Sequence, residues 1–217
     1  MTGRPPRNLD WALPLTAWLS PGYPVGAFAY SHGIEGAVAM DRIEDAAALE
    51  RWLTGVLRYG GGWTDAVLAA AAWRDPEDEA PAALARALAP ARDRLTETED
   101  QGAAFARTTS AAWGPDLAPA PYPVAYGRAA RAHDAPLPAA IALYLQAFAG
   151  NLCAAAQRLA PIGQTEAQVT LARLSPLCGE LAAAAAETPL DGIGGCAFLS
   201  DIAAMRRETL DVRLFRS

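Results

Sequence analysis

A chain of 217 residues with 52% hydrophobic and 19% charged residues carries enough apolar surface to fold as one domain without a metal or a disulfide. Its formal charge of −6 excludes a nucleic-acid binder built on a basic stripe. All 18 basic residues are arginine, which excludes a P-loop lysine, a Schiff base and a lysine general base.

Residues 1–8 read as a flexible N-terminus. Arg4 and Arg7 precede an apolar stretch from Trp11 to Leu19, and Ala27-Phe28-Ala29 resembles a cleavage site, but Asp10 and Pro14 break the pattern of a signal peptide. The stretch from Trp11 to Ile34 has no acidic or arginine charge. Pro14, Pro21, Gly22, Pro24 and Gly26 interrupt it, so it does not read as a membrane span. After Asp45, the residues Leu49, Trp52, Leu53, Val56 and Leu57 recur at the spacing of one helix face. Asp75 before Pro76 reads as an N-cap with proline at the first helical position. Glu97, Glu99 and Asp100 read as a solvated helix face. Ile141, Tyr144, Leu145, Phe148 and Leu152 repeat the helical spacing. The uncharged run around them, Ala135 to Gln157, reads as a buried helix of a bundle, because it opens on Pro136 and Pro138 and contains Gln146, Asn151 and Gln157. Thr165 and Gln168 read as a capping box.

Proline- and glycine-bearing breaks at 21–26, 60–62, 75–76, 114–115, 119–123, 136–138, 161–163 and 189–195 divide the chain into about nine or ten helices. No period-two segment competes with them. The expected fold class is all-α, a single-domain bundle over residues 1–217 with short connections and a C-terminal tail. Residues 189–217 differ from the rest. A glycine-rich hinge, Asp191 to Gly195, leads into a short helix near Ser200 to Glu208 and then into Leu210–Ser217. That tail mixes Arg213 and Arg216 with Val212, Leu214 and Phe215. It looks ill suited to packing on its own core, and is expected to be mobile until a partner orders it.

Little in the chain points to bond chemistry. Cys153, Cys178 and Cys196 are odd in number and widely spaced, which fits a reducing compartment and a cytoplasmic location rather than a disulfide framework. The two histidines, His32 and His133, have no ligand partner at metal-binding spacing, so neither a metal nor a cofactor is expected. His32 reads as a half-exposed polar residue on the first helix. Ser31-His32 lacks a nucleophile elbow, and Gly192 to Gly195 does not meet a dinucleotide fingerprint. What stands out is the density of turn-forming and aromatic residues from Ser20 to Glu35, SPGYPVGAFAYSHGIE, in which glycines permit close backbone contact and Tyr30 and Glu35 present polar tips.

This segment resembles the start of the urease accessory protein F (UreF) family, which carries a pattern of the form SPxxPVGAFxYSxGxE. Arg158 to Gln168, RLAPIGQTEAQ, is similar to the family's RLxPLGQTxGQ stretch, and Asp201 to Ser217 resembles its DIxxMxHExxxxRLFxS tail. Three motifs in order span residues 20 to 217. Ile162, Ala167 and Arg207 depart from the pattern, the last standing in place of a histidine. Leu210-Asp211-Val212 also differs from the usual residues ahead of RLF.

The resemblance implies a helical, dimerising protein that joins an accessory GTPase and a third accessory protein of the UreD/UreH type to deliver nickel into apo-urease. It implies no catalytic step for this chain, and two ways of regulating the GTPase, by delaying GTP hydrolysis or by supplying an arginine. The expected partner-binding residues are Tyr30, Ser31, Glu35, Gln164, Gln168, Met205, Arg206, Glu208, Arg213, Leu214, Phe215 and Arg216. Neither nucleic acid nor membrane is expected as a partner. The alternative reading is a helical small-molecule-binding protein or enzyme, supported by Trp52, Trp63, Trp73, Trp113 and Tyr144. A helical transcription regulator fails for want of a basic recognition helix.

Overall fold

The 3.6-residue spacing of Leu49, Trp52, Leu53, Val56 and Leu57 becomes helix α3, Ala46–Tyr59, in the computed structural model, which describes residues 9–217. Asp45 caps it by accepting the Ala48 N–H at 2.7 Å, satisfying one of the amides that a helix start leaves unpaired. The remaining helices are α1 (Ala12–Trp18), α2 (Ile34–Ala39), α4 (Gly61–Arg74), α5 (Ala80–Ala87), α6 (Arg92–Trp113), α7 (Tyr122–Ala132), α8 (Leu137–Leu159), α9 (Gln164–Glu187) and α10 (Phe198–Arg207). No strand occurs among the described residues, and the architecture is the expected all-α bundle. The expectation of a flexible 1–8 segment lies outside the described residues.

Helix α4 is the hub. Its residues Ala66 to Ala70 are all buried, as befits a helix surrounded on every side, and it packs against α3, α5, α7, α8 and α9. Small residues let the backbones close in. A Cβ on Gly127 of α7 would sit 2.3 Å from the Ala69 carbonyl oxygen of α4. Helices α8 and α9 form the longest pair, joined across residues 160–163. Helix α8 is long and apolar enough to cross a membrane. Half of its most apolar window is nevertheless buried in the bundle, against α4, α9 and the first part of the chain. The aromatics support the same core: Trp18 meets Phe105 edge-on at 5.6 Å, and the Trp63 and Trp73 indole N–H groups donate to the carbonyls of Ile193 and Ala135.

Two helix starts differ from the sequence reading. Asp75 closes α4 and accepts the Glu77 N–H in a local turn, and α5 starts five residues later with Pro81 in its first turn. The Asp-Pro pair satisfies backbone groups in a turn as readily as at a helix start. At α9 the cap is one-sided: Glu166 Oε2 accepts the Gly163 N–H at 2.8 Å, while Thr165 and Gln168 lie exposed inside the helix.

Candidate functional site

Gly33, near the end of the Ser20–Glu35 segment, and Gly36 just past it explain themselves against α10. Gly33 has φ +80°, and a Cβ on Gly36 would fall 2.0 Å from the Ala203 carbonyl oxygen, so α10 lies directly on the backbone of α2. Helix α10 turns Ser200, Ala203, Ala204 and Arg207 inward, at offsets of three, four and seven, and leaves Phe198, Leu199, Ile202 and Met205 in solvent. This inverts the usual amphipathic arrangement, since the small and charged side chains are buried and the large apolar ones are wet.

Past α10 the chain folds back. The expectation that Leu210–Ser217 stands clear of the core is corrected by the structure: Phe215 and Ser217 are buried, and backbone and side-chain bonds hold the segment. The Arg216 N–H donates to the Ala29 carbonyl at 2.7 Å, and the Ser31 N–H donates to the Ser217 carbonyl at 3.0 Å. Glu35, on the first turn of α2, accepts the Leu214 N–H at 2.5 Å and the Phe215 N–H at 3.4 Å. Arg207 donates to the carbonyls of Phe215 and Arg216 and pairs with Glu35 and Asp93. The alternation of Leu214 outward and Phe215 inward is what lets so short a segment serve both core and surface.

The middle motif reaches the same place. The Arg158 guanidinium, on α8, lies 4.0 Å from the ring centroid of Phe28 and 4.2 Å from that of Phe215, and its Nη1 donates to the Phe28 carbonyl. The three sequence motifs thus meet around one tail. Next to them a groove of about 480 Å³ runs between the first part of the chain, α8 and α9, with Phe28, Arg158 and Phe215 in its wall.

The expected partner residues divide into two groups. Tyr30, Ser31 and Glu35 are buried: the Tyr30 hydroxyl donates to Asp100 at 2.9 Å, and the Ser31 hydroxyl donates to the Ser217 carbonyl. Burial, then the neighbouring Asp100 carboxylate, raises the Tyr30 pKa. Phe215 is buried too, and Glu208 Oε1 accepts the Asp93 N–H at 3.0 Å, capping α6 from a distance. Met205, Arg206, Arg213, Leu214 and Arg216 are exposed, as are Gln164 and Gln168 on α9, where Gln168 lines the groove.

Other residues of the site escape sequence reading. His32 lies ahead of α2 rather than on it, in a left-handed conformation with φ 52°, and is buried against Phe148. Burial first, and then the positive charge of Arg94, lower its pKa to about 4. Its Nδ1 is 3.8 Å from Glu97, too far for a hydrogen bond. Glu97 is corrected from a solvated position to a buried one, ion-paired with Arg94 and accepting the Ser217 hydroxyl. Burial would raise its pKa, but Arg94 and His32 outweigh that and lower it. The signal was its i, i+3 spacing from Arg94, which also fits an exposed pair.

Fold and site together define an all-α protein that displays an apolar helix face beside a C-terminal segment docked on its own N-terminal motif. Comparison with known proteins gives the family. The UreF family model matches residues 43–175. A urease accessory protein UreF of Cereibacter sphaeroides is 55% identical over 205 residues, covering 94% of this chain and 98% of the relative. That of Roseobacter denitrificans is 45% identical over 218 residues, covering 100% of this chain and 98% of the relative. That of Mesorhizobium japonicum is 46% identical over 213 residues, covering 94% and 96%. The chain belongs to the UreF family of urease accessory proteins.

Proposed function

We propose that this chain is a cytoplasmic, non-enzymatic scaffold of urease maturation. It works as a homodimer that joins an accessory GTPase and a UreD/UreH-type accessory protein, and supports GTP-dependent nickel insertion into apo-urease, with regulation of the GTPase as part of that role. Nickel is cargo in this reading. The observation that carries it is the wet apolar face of α10: Phe198 is 74% exposed, and Ile202 and Met205 share its face, with Val212 (85%) and Leu214 exposed on the adjoining tail. Large apolar side chains left in water, with Arg206, Arg213 and Arg216 exposed on the same helix and tail, suit a protein interface. The curated relatives are named accessory proteins of urease, which supports partners from that system.

The test is co-expression of the chain with its UreD/UreH-type and GTPase partners, followed by size-exclusion chromatography. The wild type is expected to elute with both, and Ile202→Asp, which alters only the exposed face, is expected to lose the UreD/UreH-type protein while keeping its melting temperature. Full-yield capture by Ile202→Asp and by a matching Phe198→Asp variant would remove the α10 face from the interface.

A further inference from the structure

We propose that the link between α9 and α10 is a strap pinned to α4 at both ends, by Arg74 near Thr188 and by Trp63 at Ile193, and that Gly194–Gly195 is the pivot about which α10 swings as a unit. A swing of α10 is then not passed back to α8 and α9. This goes beyond the reading above and concerns the free chain, so it stands whichever partner meets α10.

The first pin closes α9. The Arg74 guanidinium, at the last residue of α4, donates through Nη2 to the carbonyls of Ala185, Ala186 and Thr188 at 3.1, 2.6 and 3.0 Å, so one charged group satisfies carbonyls that a helix end leaves unpaired. The chain then runs through a short 3-10 turn, Leu190–Gly192, that packs on α4. At the other end of α4 the Trp63 indole, in the first turn, donates to the Ile193 carbonyl at 2.8 Å, and Ile193 packs against the core. The strap is thus held along the hub helix of the bundle, from its last residue to its first turn.

Beyond Ile193 the hold stops. Among the described residues no backbone hydrogen bond involves Gly194, Gly195 or Cys196, and the next bonded carbonyl is that of Ala197, which accepts from α10 itself. Gly195 has φ +143°, a conformation open to glycine, and a Cβ on Gly194 would meet nothing within 4 Å. The Cys196 thiol donates forward to Asp201 of α10 at 3.6 Å, so it travels with that helix. Helix α10 is itself lightly held. It packs on α2 and α6 through Ser200, Ala203, Ala204 and Arg207, while its large apolar side chains add nothing to the core. Elements that bury little apolar surface are the ones that open first.

The experiment is hydrogen exchange on the full chain without any partner, read by NMR as the protection of single backbone amides and of the Trp63 indole N–H. In the wild type the amides of Asp201 to Arg207 are expected to open together, with protection at least about tenfold below that of the Trp63 indole and of the last turn of α9. Gly36→Ala, which crowds the Ala203 carbonyl and lifts α10, is expected to bring α10 close to peptide-like exchange. It is expected to leave the Trp63 indole and Ala185 to Glu187 within about twofold of the wild type. Trp63→Phe keeps a ring and removes the donor. In that variant Gly192 and Ile193 are expected to fall to the protection of α10, while Ala185 to Glu187 stay as they were. An indole that opens with α10 in the wild type, or a Gly36→Ala effect that spreads into α9, overturns the pivot. Protection at Ile193 that survives Trp63→Phe overturns the pin. Should Gly36→Ala fail to fold, the wild type and Trp63→Phe carry the same test.

Discussion

His32 and Asp65 line one cavity of about 150 Å³ and are displaced in opposite directions, so their pH effects oppose each other. Burial, helped by Arg94, lowers the His32 pKa from 6.5 to about 4. Burial raises that of Asp65 from 3.8 to about 6, against the opposing pull of Arg94 and of the Tyr144 hydroxyl that donates to it. Between pH 6.5 and about 4 the unfolded chain protonates His32 while the folded protein resists, so acidification costs stability. Between about 6 and 3.8 the folded protein keeps a proton on Asp65 that the unfolded chain has released, so acidification adds stability. The two offset each other over the shared range. Asp65→Asn removes the second effect and exposes the first. Its free energy of unfolding, read from denaturant titrations, is therefore expected to fall steadily from pH 6.5 toward 4, by up to about 3 kcal/mol, where the wild type changes much less. Parallel wild-type and variant curves would show that Asp65 adds no such stability, and a flat variant curve would show that His32 carries no such penalty. Below pH 4.5 a further loss belongs to Glu97, whose lowered pKa makes its contribution present above 4.5 and lost as acid protonates it.

At the scale of elements, the contact of α10 with α2 depends on the absence of a side chain. In Gly36→Ala the new Cβ would meet the Ala203 carbonyl at 2.0 Å, a backbone atom that moves only with its helix. The expected result is a loss of about 1–3 kcal/mol and early tryptic cleavage at Arg206 as α10 lifts, checked by thermal melts and timed proteolysis. Wild-type stability in that variant would mean that α10 sits farther from α2 than the structure places it. The same contact shows what is legible in the sequence. Helices α3 and α8 are written in the spacing of large apolar residues, and their boundaries follow from their breakers. Helix α10 is not, because its inner face is Ser200, Ala203, Ala204 and Arg207 while its large residues face out, so periodicity alone assigns the faces the wrong way round. The docked tail escapes the sequence for a related reason. Its docking relies on backbone groups bonded to Glu35, Arg207 and Ser31, and no local pattern reports which distant side chain will take a backbone N–H. The family motifs mark the segments that matter. Their pairing in space is visible only once α2, α10 and the tail are placed.

At the scale of the whole molecule, the tail joins segments from opposite ends of the chain, and its removal is a stability experiment as much as a binding one. Phe215 fills a buried position against Arg158, Ser217 bonds to Ser31 and Glu97, and Arg216 pairs through its backbone with Ala29. Deleting residues 212–217 uncovers the pocket of one large apolar side chain, worth about 1.5–3 kcal/mol. It also takes the backbone partners away from Glu35 and Arg207, and a buried charged group robbed of hydrogen bonds costs about as much again. For a chain of this size each kcal/mol corresponds to roughly 2–4 °C, so the truncated protein is expected to melt about 10 °C below the wild type, by calorimetry or circular dichroism. It is also expected to lose the UreD/UreH-type partner. Loss of capture alone is ambiguous, since an unsettled α10 would lose it as surely as a missing contact. The comparison with Ile202→Asp separates the two causes, because that side chain is exposed and its replacement leaves the core untouched. A truncation that keeps the wild-type melting temperature while capture disappears would mean that the tail contributes contacts only and that the core is complete without it.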